Sequence, residues 1–203
     1  MRPNYAQDPP PTSLAVGGAA RPINADYAVW IEIGRRMGGL LDDVSTPERA
    51  AHNLQLIGEM ETLAFGAPVA PLLKGGDAAK KHGEALARIA DFYRGYPEAS
   101  TESGGERLYS FDCDLNDILV AMRVQYGVDL SWRRREPFHW WEFLLLFRSL
   151  CGDHRFLRTV EARAYRGSDP EMKRRRSRCA LPQELSGEEA LALEAINREF
   201  DGA

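Results

Sequence analysis

The ten residues Phe138-His139-Trp140-Trp141-Glu142-Phe143-Leu144-Leu145-Leu146-Phe147 constrain this chain more than any other stretch. With Pro137 ahead of them they predict a helix that starts at the proline and is apolar around most of its circumference. No single neighbour would take such a helix out of water, so it should run through the centre of a fold. Adjacent residues on a helix point about 100° apart, which lets Trp140 and Trp141 reach two different neighbours. A membrane span needs about 20 apolar residues in a row. The longest run here, Phe143 to Phe147, falls far short of that, so these side chains belong to a protein core and no membrane association is expected.

The chain around this segment can supply that core. It has 203 residues, 44% hydrophobic and 28% charged, the make-up of a soluble globular protein large enough for one well-covered interior. Met1 leads into Asp8-Pro9-Pro10-Pro11 instead of a basic region and an apolar run, so no secretory signal is expected and the cytoplasm is the default location. Cys113, Cys151 and Cys179 are odd in number and widely spaced, which suits reduced thiols better than a disulfide framework or a metal clip.

Residues 1–12 are Pro-rich and without periodicity, and read as a mobile arm. Leu14 to Ile23 with Gly17-Gly18 at its centre resembles a short hairpin, because a Gly-Gly pair accepts the positive φ angles of a two-residue turn. A lone hairpin is marginal, and the next element is its obvious support. Asn24 or Asp26 can cap a helix running to Met37, ended by Gly38-Gly39. Thr46-Pro47 opens a second helix to about Ala64, and Asp77 a third to about Arg94. The Pro-, Ser-, Gly- and Glu-rich stretch near residues 96–108 reads as a loop or subdomain boundary. Asp112 or Asp114 should cap a helix carrying Leu115, Ile118, Leu119, Met122 and Tyr126, with Gly127 in the left-handed cap position. Asp153 is expected to cap another through Ala164, and Asp169-Pro170 a short basic one to Cys179. Ser186-Gly187-Glu188-Glu189 has the capping-box form ahead of a helix with Leu193, Ile196 and Phe200, appended over residues 183–203. The expected class is all-α: a compact multi-helix bundle with a small N-terminal β-hairpin, residues 13–182 forming its main body.

Charge is unevenly laid out. Residues 1–130 carry 12 basic against 18 acidic side chains, residues 131–178 carry 13 against 6, and the net charge of the chain is −4. Lys173-Arg174-Arg175-Arg176-Ser177-Arg178 is the one charge run with a functional meaning to weigh, since clustered arginines can neutralise phosphates. Lys173, Arg174, Arg175, Arg176 and Arg178 lack interleaved aromatics and a reading motif, so a solvated or partner-facing helix end is preferred over nucleic acid.

Sites for chemistry are not apparent. Asp112 to Arg123 begins like a calcium loop, but Asp117 stands where glycine is needed and Arg123 where a bidentate glutamate is needed. His139 and Glu142 could share a metal, yet no second ligand pair accompanies them, and a half-buried histidine donating to a carbonyl is the preferred reading. A nucleophile elbow, a phosphate-binding loop and a recognisable cysteine-protease setting are all missing. No enzymatic activity, cofactor or metal is expected.

Several segments, taken in order, resemble a family of small tail-morphogenesis proteins of long-tailed bacteriophages and prophages, the phage gene-product-fifteen family. They are Val16-Gly17-Gly18, Pro22-Ile23-Asn24-Ala25-Asp26-Tyr27, Asp112-Cys113-Asp114 with Ile118, Gln125-Tyr126-Gly127-Val128-Asp129-Leu130, and Phe138 to Phe143 leading to Leu150. A weaker continuation runs from Arg163-Ala164-Tyr165-Arg166 to Ala180-Leu181-Pro182. The Pro-rich arm and the segment after Pro182 depart from the pattern. Members are usually encoded between the major tail protein and the tape-measure protein. The resemblance therefore implies a chaperone-like assembly factor that binds the tape-measure protein, and other tail proteins or its own copies, in the host cytoplasm. The alternative it leaves open is a structural tail or head-tail connector subunit retained in the virion. A tape-measure protein is long, helical and apolar-rich, so its partner should offer apolar and aromatic grooves. Tyr27, Trp30, Trp132 and Trp140 are the candidates for such a surface, although burial in the core is the preferred reading for the tryptophans.

Overall fold

The computed structural model describes residues 9–70, 76–95, 106–131, 134, 136–183, 187 and 189. Among them the chain forms one two-stranded hairpin and seven helices, so the mostly helical class holds. They divide into two compact units, one of residues 9–95 with Gly187 and Glu189 and one within 106–183.

In the first unit β1 (Ser13–Val16) and β2 (Ala19–Pro22) pair antiparallel, Ser13 facing Pro22 and Val16 facing Ala19. Gly17 and Gly18 between them have φ of 62° and 76°, values that cost a residue without Cβ almost nothing and let the chain reverse in two residues. Helices α1 (Tyr27–Gly38), α2 (Pro47–Phe65) and α3 (Gly76–Arg94) follow. Asp26 caps α1 by accepting from the Ala28 N–H, and Thr46 ahead of Pro47 caps α2. The support of the hairpin differs from the sequence expectation. Val16 is buried with Val69 and Ala85, and the Gly17 N–H donates to Glu84 Oε2 at 3.0 Å, so the hairpin rests on α3 and not on α1. The reason is that α1 spends its apolar face elsewhere: Trp30 and Ile33 are fully buried, and the Trp30 ring lies 4.2 Å from that of Phe92.

Two polar devices tie the helices of this unit. Asn53 on α2 both donates to the Leu41 carbonyl and accepts from its N–H, each at 2.8 Å, which fixes the α1–α2 connection as a strand partner would. Deeper, His82 Nδ1 lies 2.8 Å from Glu61 Oε1, and Glu61 Oε2 accepts from the Val69 N–H at 3.0 Å, with both side chains almost wholly buried. A buried carboxylate is tolerated because both oxygens are engaged.

The second unit contains α4 (Phe111–Tyr126), α5 (Trp140–Arg148), α6 (Arg155–Ala164) and α7 (Pro170–Cys179). Its core is aromatic. Trp140, Phe143 and Phe147 stack along α5 at 5.5 and 6.1 Å, and Phe111, Tyr109 and Phe156 meet them edge-on or tilted. Such offset and edge-to-face contacts are the favoured geometries for rings of this kind. The apolar helix begins three residues later than Pro137 suggests. His139 is extended, and its Nδ1 accepts from the Trp141 N–H at 3.1 Å, so the imidazole is the cap and the proline precedes it. Nor is α5 buried all round: Trp140, Phe143, Leu144 and Phe147 face inward, while Leu145 is 40% exposed and Trp141 is half-buried.

Two other caps also differ from expectation. Ser110 caps α4, its Oγ accepting from the Asp112 N–H, while Asp114 Oδ2 accepts from the Ser110 N–H at 2.9 Å. Asp114 cannot be the cap because its carboxylate turns inward. Asp153 gives way to His154 at the start of α6 and instead pairs with Arg158 at 3.4 Å. The Pro-rich segment before residue 9, most of the 96–108 boundary and the appended helix with its Leu193, Ile196 and Phe200 fall outside the described residues, apart from Gly187 and Glu189.

Candidate functional site

Three of the four aromatic candidates are interior. Tyr27 is 4% exposed, Trp30 0% and Trp140 1%; Trp132 lies outside the described residues. The reading of Tyr27, Trp30 and Trp140 as a partner surface is therefore corrected. Each sits on the inward face of an amphipathic helix, where a large ring removes most area from water, and Trp30 also satisfies its indole N–H on the Asn24 carbonyl at 2.7 Å.

Outward faces with unusual chemistry occur instead on α4 and α7. On α4 the inward stripe of Asp114, Ile118, Ala121 and Met122 leaves Val120 and Val124 on the opposite side, 61% and 71% exposed. Side chains four apart lie one above the other on a helix, so the two valines form a short apolar ridge in solvent. The signal was present in the sequence as two β-branched residues opposite the predicted stripe.

The basic run lies on α7, entered by Asp169, whose carboxylate accepts from the Glu171 and Met172 N–H groups, with Pro170 at the first helical position. Met172, Arg176 and Cys179 are half-buried and mark the inner side, where α7 lies on α6. Lys173, Arg174, Arg175 and Arg178 are exposed. Arg176 is engaged: with Arg166 it grips the carboxylate of Glu106, Arg176 Nη2 at 3.1 Å from Oε1 and Arg166 Nη2 on Oε2.

What holds α7 in place is a buried clamp. Arg163 of α6 meets Asp114 of α4 with both prongs, Nη1 to Oδ2 at 2.6 Å and Nη2 to Oδ1 at 3.0 Å. Its Nη1 also donates to the Leu108 carbonyl at 3.0 Å, and its Nε to the Cys179 carbonyl, the last residue of α7, at 2.6 Å. One guanidinium thus joins α4, its leading segment, α6 and the end of α7. Bidentate geometry of this kind gives both strength and direction. The sequence held no sign of it, since the partners are 49 residues apart.

Cys113 and Cys151 are exposed and Cys179 is half-buried, all with free thiols. Among the described residues no group of three or more histidine, cysteine or carboxylate side chains is placed to hold a metal, and no described helix is long and apolar enough to cross a membrane.

The model of one family, described as bacteriophage Gp15 protein, matches residues 77–184, more than half of the chain. The matched range takes in α3 and the whole of the second unit, while the resembling segments at Val16–Gly18 and Pro22–Tyr27 precede it. No curated protein and no solved structure matches the chain. With the match running unbroken through the aromatic core, the Arg163–Asp114 clamp and α7, the chain belongs to the bacteriophage Gp15 family.

Proposed function

We propose that this phage protein is a non-catalytic tail-assembly factor, a chaperone-like partner of the tape-measure protein that acts in the host cytoplasm before the tail closes around its ruler. The observation that carries the reading is the family match over residues 77–184. The fold supports it by chemistry: short helices with outward faces suit recognition of a long helical chain, which lays an apolar stripe against a groove or ridge. The Val120–Val124 ridge is the apolar face available for such a contact, in place of the tryptophans.

Co-expression with the tape-measure protein of the same phage, followed by affinity capture, tests the proposal. Soluble tape-measure protein recovered with the chain, and lost on Val120→Asp with Val124→Asp, is the expected result. Failure of the two folded proteins to associate overturns it. Mass spectrometry of purified particles completes the test, because stoichiometric retention in the virion would mark a structural tail or connector subunit instead.

A further inference from the structure

We infer that the outer face of α7 is a docking surface for a helix of another protein that carries carboxylates three or four residues apart. On a helix of 3.6 residues per turn, Arg174 and Arg178 fall about 40° apart and face away from the half-buried Met172, Arg176 and Cys179, while the exposed Arg175 borders that inner side. Lys173, Arg174, Arg175 and Arg178 make no ion pair with any described carboxylate. Arg174 and Arg178 stand one turn apart with like charge, an arrangement that disfavours the isolated helix. Such a row is stabilised by an anion brought from outside, and the Glu106 carboxylate, held between Arg166 and Arg176, illustrates the geometry on the adjoining side.

Spacing favours a helix as the occupant. Arg174 and Arg178 are about 6 Å apart along the helix axis, the separation of two carboxylates at i and i+4 on a helix laid alongside. Composition argues against nucleic acid, since no aromatic side chain interleaves Lys173 to Arg178 to stack a base. A second copy is disfavoured by its own bookkeeping of charge. Asp43, Asp77, Asp91, Glu106, Asp117 and Asp153 each already hold a cation of the same chain, while the exposed Glu48, Glu161 and Glu171, which hold none among the described residues, stand singly on their helices. Among the described helices, none presents two unpaired carboxylates three or four residues apart. The inference specifies the partner by its carboxylates and stands whether or not that partner is the tape-measure protein.

The test uses the full chain and three probes at low salt. These are a labelled alanine-based helical peptide with glutamates every four residues, a peptide of the same composition broken by two prolines, and a 20-base-pair DNA duplex. Fluorescence anisotropy should show the helical peptide binding, with affinity that falls as salt rises and at least about ten-fold ahead of the broken peptide. Joint replacement Arg174→Glu, Arg175→Glu and Arg178→Glu should weaken it about ten-fold or more, with Arg174→Gln, Arg175→Gln and Arg178→Gln as the milder variant should the reversal disturb folding. Absence of binding, equal binding by the broken peptide, or no response to either triple variant overturns the inference. Tighter binding of the duplex through the same arginines overturns it in favour of nucleic acid, and self-association abolished by charge reversal overturns it in favour of a second copy.

Discussion

In the first unit Arg36 reaches Glu32 on its own helix and Glu59 on α2, Lys81 faces Asp77, and Arg94 faces Asp91. In the second unit the best-formed pair, Arg163 with Asp114, is sunk in the interior, while Lys173, Arg174, Arg175 and Arg178 are exposed and hold no ion pair among the described residues. Among the described residues each unit also buries an ionisable pair, but of different kinds: the first a histidine beside a glutamate, the second a guanidinium forked onto an aspartate. The contrast separates two uses of charge. Exposed pairs closed within a unit contribute little each. A buried fork joining four segments imposes one arrangement on them, and that arrangement presents the unpaired row outward.

The sharpest way to break this comparison is at the fork. Arg163→Ala leaves Asp114 buried and uncompensated and should destabilise the second unit by about 3–5 kcal/mol in chemical denaturation followed by near-ultraviolet circular dichroism; a loss under about 1 kcal/mol would remove the fork from its central place. His82→Ala should cost the first unit less, about 1–3 kcal/mol, because it removes one partner of Glu61 and leaves the Val69 N–H in place. If the two losses come out equal, the distinction between the buried pairs fails.

Packing within the first unit gives a third measurement. A Cβ added at Gly34 would lie 2.8 Å from Cε2 and Cζ of Tyr93, closer than carbon atoms approach, so Gly34→Ala should lose about 1–3 kcal/mol through overpacking. Tyr93→Ala in the same background should return part of that loss as the ring is removed.

Acid probes the closed surface pairs. Hydrogen bonds from Arg36 and Arg35 hold Glu32 below the ordinary glutamate range, and those from Gln55 and Arg36 do the same for Glu59. A carboxylate with a lowered folded pKa contributes stability above its unfolded value of about 4.3, and the contribution fades as pH falls through the folded value. Unfolding of wild type against Arg36→Gln should therefore differ slightly at neutral pH and converge below about pH 4. A difference that grows in acid would contradict the assignment. The smallest effect is expected on α7: the triple glutamine variant should change unfolding stability by no more than about 0.5 kcal/mol, since the three side chains are exposed.

Short-range features of the sequence carried most of the fold. Gly17-Gly18, Asp26, Thr46-Pro47, Gly127 and Asp169-Pro170 act through hydrogen bonds and φ angles within four residues, and each took its expected place. The errors came where competing groups stood side by side. Ser110 displaced Asp112 and Asp114 because Asp114 had a distant partner, and His139 capped α5 because an imidazole nitrogen can accept as well as donate. Of the candidate site, the basic run was plain from its spelling alone. The inward fate of Trp30 and Trp140 was written in the apolar stripes of their own helices, whereas the fork and the Glu61–His82 pair depend on which helices meet, and nothing within a few residues of them records that.

The hairpin has a consequence for how the chain is made. Its seat on α3 is bonded across 67 residues, Gly17 to Glu84. At ribosomal speeds of roughly 5–20 residues per second, the strands emerge about 3–13 s before the surface they rest on exists. Throughout that interval an unsupported β-ribbon is exposed in the nascent polypeptide, so translation pauses before the third helix would lengthen the period in which it is open to mispairing.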